Sequence, residues 1–149
     1  MAVPPVTWTM PALLRTAMFP ARLGELEALR VFVEAFCGQA RLARDKCLRL
    51  NLVLEELFTN TVRHGHRGDC EAPVWVGLAA EGDVLVKVSY EDTAPPFNPY
   101  AHLAKASADV TLSMKAGGLG VLLTRELSAS RDYAYVFGRN CIRLGLQSA

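Results

Sequence analysis

Two hydrophobic periods run along this chain. Leu23, Leu26, Leu29, Val33 and Phe36 recur at helical spacing and predict a first helix from Leu23, ended by Gly38. A second helical pattern starts near Asp45, a suitable N-cap or first-turn residue, and runs to about His64, where Gly65 and Gly68 break it. Elsewhere the pattern is β-rich. "LLRTAMFPA" supplies a first strand, and "APVWVGLAA" and "DVLVKVSYE" form a hairpin across Glu81-Gly82-Asp83. "RDYAYVF" and "NCIRLGL" close the chain as a hairpin around Gly138-Arg139-Asn140. "EDTAPPFNP" holds three prolines in nine residues and cannot be regular structure. Tyr100 to Ala116 is weakly patterned and is expected to be a loop; "GGLG" then opens a helix through "VLLTRELSAS".

This order is strand, two helices, two strands, loop, helix, two strands. It predicts an α+β fold, a two-layer sandwich with a mixed, mostly antiparallel sheet and helices on one face. A doubly wound nucleotide fold needs strands alternating with helices, and these do not alternate. The first dozen residues hold three prolines, so residues 1–13 are expected to be an extended arm and 14–149 a single domain. The apolar side of the first helix must be buried, within one chain or against a second copy. Trp75 and Phe137 are expected in the core or on a sheet face.

Composition narrows the class. Sixteen basic residues against fifteen acidic ones are too balanced to suggest a nucleic-acid binder. No apolar run suggests a membrane span, and the N-terminus reads as lacking a signal peptide. Cys37, Cys47, Cys70 and Cys141 form no CxxC pair and read as reduced, mostly buried and cytoplasmic. The basic cluster Arg41, Arg44, Lys46 and Arg49 lies near Glu27 and Glu34 and reads as a solvated face.

The stretch "EELFTNTVRHGH", residues 55 to 66, is more polar than a packed helix needs. At about 100° per residue, Leu50, Val53, Leu54, Leu57 and Phe58 form one apolar stripe. Glu56 and Asn60 lie together at its border, and Glu55 points away. A carboxylate there suits a general base and an amide oxygen suits Mg²⁺; equally, both side chains can simply cover the helix edge. Asp92 opens the rigid turn of "EDTAPPFNP", where its carboxylate is able to accept from an exocyclic amine. In "GGLG", backbone N–H groups at a helix N-terminus can approach an anion. His64, His66 and Cys70 match no familiar zinc spacing, and His64 is expected on the buried side of its helix as a hydrogen-bonded structural residue.

In combination and order, "EELFTNTVRHGH", "EDTAPPFNP" and "GGLGVLLTREL" resemble the three ATP-binding boxes of the GHKL (Bergerat) ATPase fold. His64-Gly65, the "PFNP" ending and "YVFGRNCIRL" are similar to its anti-sigma factor serine-kinase branch. The resemblance spans roughly residues 14 to 146. It implies ATP or ADP and Mg²⁺ as cofactors, with Asn60 the Mg²⁺ ligand, Glu56 the base and Asp92 holding the adenine amine. Gly118 and Gly120 would lie against the phosphates, Tyr100 to Ala116 would be a lid, and Lys115 would meet a phosphate. His64, Gly65, Ala94, Phe97, Gly117 and Leu119 fall within the same nucleotide-binding boxes.

The partners implied are a STAS-type antagonist phosphorylated on serine, a sigma factor or similar regulator that is sequestered, and a second copy of the chain. No membrane or direct nucleic-acid contact is implied. The chain departs from the boxes twice. Ala94 stands where they carry glycine, so its methyl is expected to crowd the adenine or alter the turn. The lid holds Lys115 and no arginine. These departures keep open an ATP-responsive binding module with weak or no kinase activity, beside a switch kinase acting on a scaffold protein.

Overall fold

Strands that bury one face alternate strictly, and β2 (Pro73–Glu81) and β3 (Leu85–Asp92) do so. Val74, Val76, Leu78 and Ala80 on β2, with Val86, Val88, Tyr90 and Asp92 on β3, all point to the same side. The computed structural model describes residues 2, 3, 13–81, 85–99 and 130–147. Within them, β1 (Leu13–Pro20), β2, β3, β4 (Ser130–Val136) and β5 (Arg139–Gln147) form one sheet of order β1-β2-β3-β5-β4. All four pairings are antiparallel. The two-layer α+β architecture expected above is the one observed.

The helical layer is α1 (Leu26–Ala40) and α2 (Arg44–Asn60), preceded by a short 3-10 turn at Leu23–Glu25. Leu29, Val33 and Phe36 of α1 pack in one core with Leu50, Val53, Leu54, Leu57 and Phe58 of α2 and the inward residues of the sheet. The apolar side of α1 is therefore buried within the chain. The four cysteines are free, with Cys37 and Cys47 buried between the helices. Arg30 pairs with Glu27 and Arg44 with Glu34 on an exposed face, contacts that contribute little to stability.

Three boundaries differ from expectation. Gly38 does not end α1, which continues to Ala40; Arg41 ends it in the left-handed region at φ 54°. The Arg41 N–H reaches the Gly38 carbonyl at 3.3 Å and the Leu42 N–H the Cys37 carbonyl at 3.0 Å, so the backbone closes the helix without a glycine. The last hairpin turns one residue earlier than Gly138-Arg139-Asn140. Its two-residue loop is Phe137-Gly138, with φ 53° and 75°, so Arg139 and Asn140 belong to β5. Phe137 is correspondingly 98% exposed at the hairpin tip rather than in the core or on a sheet face. Trp75 lies on the outer sheet face as expected, with the Arg139 guanidinium 3.9 Å above its ring. Residues 4–12, the loop from Tyr100 to Ala116 and the helix opened by "GGLG" lie outside the described residues.

Arg41 carries a Cβ in a conformation that costs an L-residue about 1–2 kcal/mol. Arg41→Gly is expected to raise stability by about 0.5–1 kcal/mol after the added flexibility of the unfolded chain is subtracted. An unchanged or lowered urea midpoint would contradict that account of the helix end.

Candidate active site

Continuing the stripe of α2 by four residues from Leu57 leads to Thr61, a hydroxyl where an aliphatic side chain would be expected. Thr61 is buried. Beyond Asn60 the helix widens into a π turn over Thr61–Gly65, closed by a bond from the His66 N–H to the Thr61 carbonyl at 2.9 Å. Five-residue spacing replaces four. Side chains beyond Asn60 consequently advance less per residue, and His64 comes out exposed. The expectation that His64 is a buried structural residue is thus corrected: it rested on uninterrupted α-helical winding.

The π turn lies against the end of β3, where Asp92 is only 6% exposed. Burying a carboxylate is costly unless donors surround it. Thr61 Oγ1 donates to Asp92 Oδ2 at 2.7 Å, while the Ala94 N–H at 3.1 Å and Asn140 Nδ2 at 2.8 Å donate to Oδ1. Thr61 Oγ1 is also 2.7 Å from the Tyr90 hydroxyl and 3.0 Å from the Leu57 carbonyl. Burial holds the Tyr90 phenol well above its usual pKa, so Tyr90 keeps its proton and donates it to Thr61. The single Thr61 proton then makes the shorter, charge-assisted bond to Asp92.

A carboxylate offers about four acceptor positions. Among the described residues three are taken by protein donors, and the one left, on Oδ2, suits a single N–H such as that of an exocyclic amine.

Ala94 is also buried, and its methyl lies against the π turn. A Cβ placed on Gly65 would come within 2.7 Å of the Ala94 Cβ. The methyl thus packs against the bare backbone of Gly65, and the two residues are complementary: the side chain present at 94 is absent at 65.

Glu56 and Asn60, one helical turn apart, are half-buried at the edge of α2, and Glu55 is exposed, as expected. Burial chiefly raises the Glu56 pKa, the Glu55 charge raises it further, and Arg63 opposes both. The Asn60 side chain does not cap the turn that follows it. The Asn60 amide oxygen is a hard donor of the kind that fits Mg²⁺, which takes few protein ligands and completes its shell with phosphate and water. Phe97 is about half-exposed, and its N–H donates to Asn140 Oδ1 at 2.9 Å. Lys115, Gly117, Gly118, Leu119 and Gly120 lie outside the described residues.

The structure therefore brings Gly65, Asp92 and Ala94 into one cluster, with Asn60 adjoining through Thr61. Thr61, Tyr90 and Asn140 belong to that cluster too and were not anticipated. Only Thr61 had a legible signal, as the polar residue on an apolar stripe.

The family model for the histidine kinase-like ATPase domain matches residues 19–146. That span runs from the last two residues of β1 to one residue short of the end of β5, and the chain belongs to this GHKL-type family. ATP or ADP binding follows from membership. No curated protein matches the chain. No helix among the described residues is long and apolar enough to cross a membrane.

Gly65→Ala is expected to destabilise the fold by about 1–3 kcal/mol, the usual cost of overpacking. Ala94→Gly in the same chain should recover a large part of that loss. Additive effects in this double-mutant cycle, read by chemical denaturation, would show that the two positions do not touch.

Proposed function

We propose that this chain is a cytoplasmic serine-protein kinase of the anti-sigma factor type. It binds Mg-ATP, transfers the γ-phosphoryl group to a serine of a STAS-type antagonist protein, and sequesters a sigma factor or similar regulator when that antagonist is phosphorylated. A homodimer is part of the same reading. The supporting observation is that one continuous helical element carries both halves of such a site. Thr61 at its π turn is bonded to Asp92, the candidate base-binding carboxylate, and Glu56 lies five residues earlier at the helix edge.

In this reading Asp92 Oδ2 accepts the exocyclic amine of adenine and sets the nucleotide in register along α2. Asn60, through its amide oxygen, is the residue that would hold Mg²⁺. When bound, that ion neutralises charge on the phosphates. Glu56 removes the serine proton as the serine oxygen bonds to the γ-phosphorus and the bond to the ADP oxygen breaks, leaving phosphoserine and ADP. A partly desolvated carboxylate with a raised pKa is a stronger base than an exposed one, which suits the task.

Mg-ATP labelled at the γ-phosphate, added to extract of the source cells with the purified chain, tests the proposal. A single small labelled protein is expected, and it should disappear with Glu56→Gln while ATP binding persists. Binding of ATP without any label would instead support the nucleotide-gated binding module.

The Glu56 pKa also sets a pH profile. The base works only deprotonated, so activity should be lost as pH falls through a value above the ordinary glutamate range. Glu55→Gln removes a repelling charge and should move that acid limb to lower pH. Arg63→Gln removes an attracting one and should move it higher. An acid limb unmoved by both substitutions would remove Glu56 from the role of base.

A further inference from the structure

Asn140 was expected in a turn; it sits instead on β5, directly opposite Asp92 across the β3–β5 pairing and facing the helices. It is 2% exposed. Its side chain is engaged on both ends. Nδ2 donates to Asp92 Oδ1 at 2.8 Å and lies 3.0 Å from the Ala94 carbonyl and 3.1 Å from the Pro95 carbonyl. Oδ1 accepts from the Phe97 N–H at 2.9 Å and from the Tyr133 hydroxyl at 2.6 Å. The Phe97 N–H is also 3.1 Å from the Tyr133 oxygen.

One primary amide therefore closes the whole turn from Asp92 to Phe97. Only an amide of this length supplies acceptor and donors on opposite ends. An aspartate would offer no donor to the two carbonyls, and alanine would strand several buried polar groups.

We propose that Asn140, held by Tyr133, is the positioning residue of the base pocket. By occupying Oδ1 of Asp92 and shaping the turn from 93 to 97, it leaves Oδ2 as the one acceptor aimed at a bound base. It thereby sets the preference for an amino-purine over an oxo-purine nucleotide. The inference rests on Asp92 taking the base. A purine with a carbonyl in place of the amine would bring an acceptor to an acceptor, and the discrimination persists only while the carboxylate cannot turn.

The test is ATP and GTP binding to the full chain by titration calorimetry, for wild type and for Tyr133→Phe, Asn140→Ala, Asn140→Asp and Asp92→Asn. Thermal unfolding is measured alongside. Tyr133→Phe removes one hydroxyl from a half-buried ring and keeps the core; it should weaken ATP binding about tenfold and narrow the ATP-over-GTP preference. Asn140→Ala should do more.

Asn140→Asp gives a readout that a general loss of packing would not. It places a second carboxylate against Asp92, with the Tyr133 hydroxyl beside it and the Tyr90 phenol linked to Asp92 through Thr61. Two such carboxylates share a proton at low pH and repel once both are charged. ATP affinity of this variant should therefore fall as pH rises past the raised pKa of the pair, whereas the wild-type amide contributes no such step.

If Asp92→Asn loses binding while Tyr133→Phe and Asn140→Asp keep wild-type affinity, selectivity and pH profile, the positioning role is wrong and the base site stands. If Asp92→Asn binds ATP as wild type does, both fail. Should Asn140→Ala not fold, the other two variants decide.

Discussion

A carboxylate closed off from water at the end of β3 dictates much of what surrounds it. Asp92 must be met by donors from several directions, and each comes from a different element: Thr61 from the turn after α2, the Ala94 N–H from the following loop, and Asn140 from β5. Each donor imposes a constraint on its own segment. Thr61 reaches Asp92 where the helix widens into a π turn. Ala94 lies deep enough to bond Asp92 only because Gly65 has no side chain. Asn140 faces the helices only because the β4–β5 hairpin turns at Phe137-Gly138. One residue later, the alternation of the strand would direct it to the outer face.

That dependence also separates two kinds of polar residue near the helix end. A fully bonded buried network holds a shape, since loss of any member strands its partners at a cost of about 1–3 kcal/mol each. Tyr90, Thr61 and Asn140 are of this kind. Glu56 and Asn60 are half-buried at the rim, outside that network, and the Asn60 side chain does not cap the turn that follows it. Rim residues beside a fully bonded network are the arrangement expected of a reactive edge on a rigid support.

The legible parts of the fold were those with strong periodicity. The stripe Leu50 to Phe58 predicted which face of α2 is buried, and the alternation in β2 and β3 predicted the central hairpin, because burial on one side leaves a repeat that needs no tertiary information. The failures share a cause. His64, Gly38 and Asn140 were each placed by assuming that local geometry continues or stops at the usual residue type. The π turn, the left-handed arginine and the Phe-Gly loop are each sustained by backbone bonds or contacts that a one-dimensional pattern does not contain. Gly65 is instructive in a different way. It was recognisable as the end of a helix, but its reason for being glycine is a methyl group 29 positions away.

The two carboxylates of the candidate site illustrate how environment divides labour between like groups. Among the described residues Asp92 accepts three hydrogen bonds from fixed donors, which leaves one acceptor position for a ligand in the proposed function. Glu56 has partial burial and a like-charged neighbour raising its pKa, with Arg63 in opposition; such a group exchanges protons readily. Exchanging their environments would spoil both tasks. A carboxylate saturated with donors makes a poor base, and one free to rotate and protonate makes a poor reader of a single amine. In the proposed function, Thr61 bonded to Asp92 and Glu56 five residues before it on the same helical element would join nucleotide selection and phosphoryl transfer in a small domain.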